Sequence, residues 1–159
     1  MLFRSLRRLL KSGDAMTPMS ELMLFEAARA QLVDTVIKPF LDQGGVVIAD
    51  RFTSSTMAYQ GYGRGLDREL IERLNREATG GLEPDLTVLL DLPVETALAR
   101  KGKGNGDNFD GAPVDFHRKI RRGYTALAAA DPGGWLVLDG QRPPEDLGRE
   151  IWVKVQSIL

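Results

Sequence analysis

Cysteine is absent from this chain, which removes disulfides, cysteine-held zinc and thiol nucleophiles from consideration. That fits a reducing compartment, and the expected location is cytoplasmic. No apolar stretch reaches the length of a membrane span, so no membrane partner is expected. Neither sign of charge dominates: 21 basic and 22 acidic residues leave a formal net charge of -1. An affinity built on blanket attraction to nucleic acid is therefore excluded. Internal repeats and long linkers are also missing. Histidine occurs once: His117, mid-helix beside Arg118 and Lys119, reads as a surface residue rather than a general base.

What is present is the mixture of an ordinary globular protein, 43% hydrophobic and 27% charged over 159 residues. That is enough for one domain with a hydrophobic core, spanning 1–159. The opening "MLFRSLRRLLKSGD" sets three arginines among apolar residues at helical spacing, without a small-residue cleavage site. It reads as a surface helix over residues 2–11, not a targeting segment. A long helix is predicted from Thr17 as cap and Pro18 at the first position to the Gly44-Gly45 stop, interrupted near its end by Pro39. A second runs from the Asp67 cap to Gly80.

Three short apolar runs, "VVIAD", "TVLLD" and "WLVLD", read as strands, and each ends in an aspartate: Asp50, Asp91 and Asp139. Helices alternate with them, which predicts an α/β fold with a parallel sheet flanked by helices. Ligands of such sheets bind beyond the carboxyl ends of the strands. Asp91 and Asp139 read as turn or helix caps, whereas Asp50, followed by Arg51, points to a site.

The stretch "DRFTSSTMAYQGYGRG" (50–65) concentrates the chemistry. Arginine suits bidentate recognition of phosphate, and an adjacent aspartate can orient it or hold a metal-bound water. The hydroxyls of Thr53, Ser54, Ser55 and Thr56 can bond a base or sugar, and Tyr59-Gln60 adds a flat ring beside an amide. Gly61, Gly63 and Gly65 let backbone approach a ligand or turn sharply.

The same run, "DRFTSSTMAYQGYGRGLD", resembles the signature of the thymidylate kinase family. So do its surroundings: "SELMLFEAARAQLVDTVIKP" is similar to that family's thymine-binding helix, "PDLTVLLDLPVETALAR" to its fourth strand and next helix, and "DNFD" to its lid motif. "FHRKIRRGYTALAAADP" and "VLDGQRPPEDLGREI" match its last third. The resemblance implies a nucleoside monophosphate kinase-like P-loop fold. It also implies transfer of the ATP γ-phosphoryl group to dTMP, with Mg2+, in a homodimer associated through its long helices.

Carried over, Phe25 would stack on thymine and Arg29, one turn on, would bond the base carbonyl, with Ala27 and Ala28 leaving room. Arg51 would grip the acceptor phosphate with Asp50 beside it. Ser55, Thr56 and Gln60 would contact the nucleotide, and Tyr59 would crowd the 2′ side of the sugar. Arg64 is either a ligand contact or a solvated loop residue. Residues 100–113 correspond to the lid: Arg100, Lys101 and Lys103 would neutralise the transferring phosphates or simply be solvated. Asp107 and Asp110 would serve the sugar hydroxyl or Mg2+, with Asp110 as the metal-ligand candidate. Asn108 stands where many members carry arginine.

One family element has no counterpart among the 159 residues. No G-x-x-x-x-G-K-[ST] occurs; the single Gly-Lys pair, Gly102-Lys103, follows a helix rather than a strand. The expectation is a form truncated at its N-terminus by roughly one βαβ unit, inactive or impaired by itself. The alternatives are a non-catalytic thymidylate-binding remnant and one half of a split kinase.

Overall fold

The structure, a computed structural model, describes residues 16–101 and 112–159. The expected helix over 2–11 and most of the lid-like loop lie outside those residues. In chain order the elements are α1 (18–41), α2 (53–63), α3 (Arg68–Thr79), β1 (Thr87–Asp91), α4 (Val94–Lys101), α5 (Val114–Ala130), β2 (Trp135–Asp139) and α6 (Pro144–Gln156).

Helix α1 starts as its sequence requires. The Thr17 hydroxyl accepts from the Ser20 amide at 3.2 Å, and Pro18 sits where a missing N–H costs nothing. The expected interruption takes the form of a widened π turn over Val33–Ile37, in which the Lys38 amide reaches back to the Val33 carbonyl. Pro39 cannot supply the amide that a regular helix would use, and the widening lies immediately before it. Helix α3 is bounded as predicted: Asp67 accepts from the Glu69 amide at 3.0 Å, and Gly80 closes it at φ 61°.

Strands β1 and β2 form as expected and pair in parallel, from Thr87 opposite Trp135 to Asp91 opposite Asp139. The third expected strand does not form. Residues 45–50 are not in a strand, and Ile48 is 94% exposed. Among the described residues no strand lies beside them to take up their backbone hydrogen bonds, and apolar content alone cannot make a sheet.

The core sits among the helices. Leu22 of α1, Met57 of α2 and Ile71 of α3 form its buried centre, with Tyr62, Leu66, Leu74 and Leu127 packed around it. Helices α2 and α5 approach closely at two glycines. A Cβ on Gly63 would lie 2.8 Å from the Phe116 ring, and one on Gly123 would lie 2.8 Å from the Tyr62 ring. Gly61 also faces protein, namely Arg68, Ile71 and Met57. Gly61 and Gly63 therefore let helices meet, which corrects the expectation that they admit a ligand. Gly65 does make the sharp turn, at φ 77°.

Candidate functional site

The chemistry-rich stretch after Arg51 folds as helix α2, whose second half, Met57–Gly63, is again a widened π turn. Helical spacing stacks Ser55 over Tyr59 and Thr56 over Gln60. These residues face Phe25, Ala28, Arg29 and Leu32 of α1 across an open cavity of about 190 Å3, which Arg51 and Phe52 also line. Eight of the ten lining residues are ones the sequence singled out: Phe25, Ala28, Arg29, Arg51, Ser55, Thr56, Tyr59 and Gln60. Ala28 lines the cavity as expected, whereas Ala27 faces solvent. Small-molecule sites usually span roughly 300–1,000 Å3, so the space suits a ring base, with further groups lying across the mouth.

Arg29 is the buried hub of the wall. Its Nη1 donates to Glu26 Oε1 at 2.6 Å and to Asn75 Oδ1 at 2.8 Å. Its Nη2 donates to the Phe52 carbonyl at 3.3 Å and the Thr56 hydroxyl at 2.5 Å. The guanidinium thus ties α1 to α2 and α3, and Nε–H is the donor left over from these four bonds. Sequence reasoning missed Glu26, Asn75 and Glu21. The i, i+3 spacing of Glu26 and Arg29 was a readable signal; Asn75, 46 positions away, left none. Glu26 Oε2 is buried without a hydrogen-bond partner among the described residues.

Gln60 is pinned in a similar way, its amide donating to Glu21 Oε1 at 2.6 Å. Arg64 meets the other Glu21 oxygen at 3.2 Å and lies 5.0 Å from the centre of the Phe116 ring. It joins the protein's own ion pairing while remaining an exposed turn residue.

Arg51 differs from Arg29. Its backbone is left-handed, at φ 75°, the single non-glycine residue with positive φ among the described residues. An L-residue there carries strain of about 1–2 kcal/mol. Its guanidinium lies 5.0 Å from the centre of the Tyr59 ring. Partial desolvation works against its charge, but Tyr59, Tyr124 and Asp50 outweigh that and hold it above the ordinary arginine value. Asp50 itself is exposed and does not line the cavity; it acts on Arg51 through its charge.

Other expected residues fall elsewhere. Arg100 lies outside the cavity and donates to the Gly140 carbonyl, just beyond β2, at 2.8 Å. That bond ties α4 to the segment just beyond β2. Lys103, Asp107 and Asp110 lie outside the described residues. His117 is half-buried rather than on the surface, and its Nε2 meets no partner among the described residues. Asp139 caps a turn through the Gln141 amide at 2.9 Å, as expected. Asp91 instead takes a forked pair of bonds from Arg121, at 2.7 and 2.8 Å, which pulls its carboxyl below the usual aspartate range.

A larger cavity of about 530 Å3 lies between α4 and α5, lined by Glu95, Asp115 and basic residues of α5. None of the residues expected at the site borders it. Two of its arginines are committed, Arg118 to Glu95 and Asp115 and Arg121 to Asp91. The smaller cavity is therefore the candidate site.

Comparison with known proteins gives the family of the chain. The family model described as Thymidylate kinase matches residues 2–151. The thymidylate kinase of Desulfovibrio desulfuricans is 51% identical over 148 residues, covering 88% of this chain and 68% of the relative. That of Synechococcus sp. (strain JA-3-3Ab) is 49% identical over 155 residues, covering 98% and 75%. The crystal structure of thymidylate kinase from Ehrlichia chaffeensis is similar at a TM-score of 0.77 and 30% identity, covering 98% of this chain and 74% of that one. The chain belongs to the thymidylate kinase family, and its fold is the family's α/β fold, a parallel sheet flanked by helices.

Proposed function

We propose that this member of the thymidylate kinase family holds dTMP in the cavity between α1 and α2 as acceptor of the ATP γ-phosphoryl group, giving dTDP and ADP. The observation that carries the reading is the convergence of an aromatic ring, hydroxyls, an amide and two arginines on one cavity. Phe25 stacks on the base. Arg29, locked in place, offers Nε–H to a base carbonyl, and Thr56 and Gln60 complete the base wall. Tyr59 crowds the sugar at its 2′ side, favouring deoxyribose. Arg51, also in the cavity wall, takes the phosphate with its planar fork.

In the reaction an acceptor phosphate oxygen attacks the γ-phosphorus, and the bond from that phosphorus to the bridging oxygen of ADP breaks. The acceptor phosphate is already ionised, so no general base is required. Positioning and charge stabilisation carry the rate. Mg2+ is expected to arrive with ATP. Among the described residues no group of three carboxylate or histidine side chains could hold a metal, and the Asp110 candidate lies outside them, so no step is assigned to the ion. The donor phosphates find no G-x-x-x-x-G-K-[ST] cradle in these 159 residues. Turnover by them alone is accordingly expected to be weak or absent, while acceptor binding persists.

Cytoplasmic location and a homodimer complete the reading. Met19, Met23, Val36 and Phe40 of α1 are exposed apolar side chains that a second copy can cover, and light scattering decides that point. The substrate is tested by equilibrium binding of dTMP, dCMP and dGMP to the full chain. The reading predicts at least a tenfold preference for dTMP. Equal affinity for all three would remove the thymidylate assignment.

A further inference from the structure

Helix α5 lies behind the acceptor cavity and contributes none of its lining residues. Its residues Phe116, Ile120 and Tyr124 are spaced four apart, so they share one face. Phe116 meets the Tyr59 ring edge-on at 6.4 Å. Ile120 is buried. The Tyr124 hydroxyl lies 2.7 Å from the Ser55 hydroxyl. Beside it, Gly123 gives Tyr62 the space that lets the helices close. Two cavity residues, Ser55 and Tyr59, are thus held from behind by a single helix.

The chemistry of the Ser55–Tyr124 pair is directional. A serine hydroxyl alone rotates freely and carries one proton. Tied to a half-buried phenol, it is limited to the orientations that keep the bond. Burial raises the Tyr124 phenol above its ordinary value, so it stays a neutral hydroxyl across the physiological range. Its partner Ser55 lines the same cavity as Arg51, and the charges of Arg51 and Asp50 both act on the phenol.

We propose that Tyr124 is a positioning residue for the phosphate end of the acceptor site. Acting from outside the cavity through Ser55, it aims the Ser55 hydroxyl at the ligand phosphate, beside Arg51. The proposal rests on the thymidylate reading of the cavity. Tyr124 does not touch the ligand, and its effect follows the phosphate rather than the base.

The test measures affinities of dTMP and of thymidine, which lacks the phosphate, for the full chain and for Tyr124→Phe, Ser55→Ala and the double variant. Tyr124→Phe is expected to weaken dTMP about fivefold, the scale of one hydrogen bond, and thymidine less than twofold. The double variant is expected to lose no more than Ser55→Ala alone, because both changes break the same link. An equal loss for both ligands, no loss for either, or additive losses would overturn the role. A parent chain that binds dTMP and thymidine while Tyr124→Phe behaves identically sinks this inference alone. A parent that binds neither sinks the thymidylate reading with it.

Discussion

Arg29 of α1 donates to the hydroxyl of Thr56 of α2 at 2.5 Å, and this bond joins two residues that line the candidate site. The same guanidinium reaches Glu26 and Asn75, so three helices meet on one side chain that is 9% exposed. An arginine that lines the cavity is thereby also a structural pin.

Removing that pin is expected to be costly. Arg29→Met leaves the Glu26 carboxylate buried without its cation, and breaking such a pair costs about 3–5 kcal/mol. Urea unfolding should show a loss near that size, with dTMP binding lost as well. A change below about 1 kcal/mol would mean that Glu26 and Asn75 find other partners.

Strain at Arg51 separates stability from binding. Arg51→Ala keeps the left-handed backbone, whereas Arg51→Gly relieves it. Both variants are expected to lose dTMP affinity tenfold or more. Thermal and urea unfolding should nonetheless find the glycine variant more stable than the alanine variant, by about 1 kcal/mol. The opposite order would show that the conformation at Arg51 is not strained.

Close approach of α2 and α5 makes its own prediction. Gly63→Ala sets a methyl 2.8 Å from the Phe116 ring, and such overpacking costs about 1–3 kcal/mol. Gly148→Ala in α6 meets nothing within 4 Å and gains helix propensity of about 0.5–1 kcal/mol. Unfolding midpoints of the two variants should therefore move in opposite directions.

Acid stability should report the Asp91–Arg121 fork. The Asp91 carboxyl titrates below its ordinary value in the folded chain, with the Arg121 hydrogen bonds as the largest cause. Its contribution is complete above the unfolded aspartate value of about 3.9 and disappears as pH falls through the lower folded value. Stability measured between pH 6 and 3 should decline less steeply in Asp91→Asn than in the parent. An identical slope would mean the pair adds nothing.

Much of this arrangement was legible in the residues because the signals were local. Thr17, Asp67 and Gly80 mark helix ends through bonds made within three or four positions. Phe25 and Arg29 share a face by helical spacing alone. The apolar runs ending at Asp91 and Asp139 found each other as partners, whereas the run ending at Asp50 shows that a strand is defined by its neighbour. What local signals could not supply was tertiary. Asn75 and Tyr124 join the site from positions far along the chain, and Glu21 of α1 meets Gln60 39 positions on. The glycines of "AYQGYG" turned out to seat helices, since a small residue in a list does not say what will fill the space beside it. Nor did any local signal reveal that Arg100 would meet the Gly140 carbonyl, 40 positions on.

The central claim is that the cavity between α1 and α2 is a thymidylate acceptor site, and calorimetric titration of dTMP into the full chain tests it most directly. The account predicts saturable binding at one site per chain, weakened at least tenfold by Arg51→Ala and abolished by Phe25→Ala. Heats that never saturate, or binding indifferent to both substitutions, would contradict it.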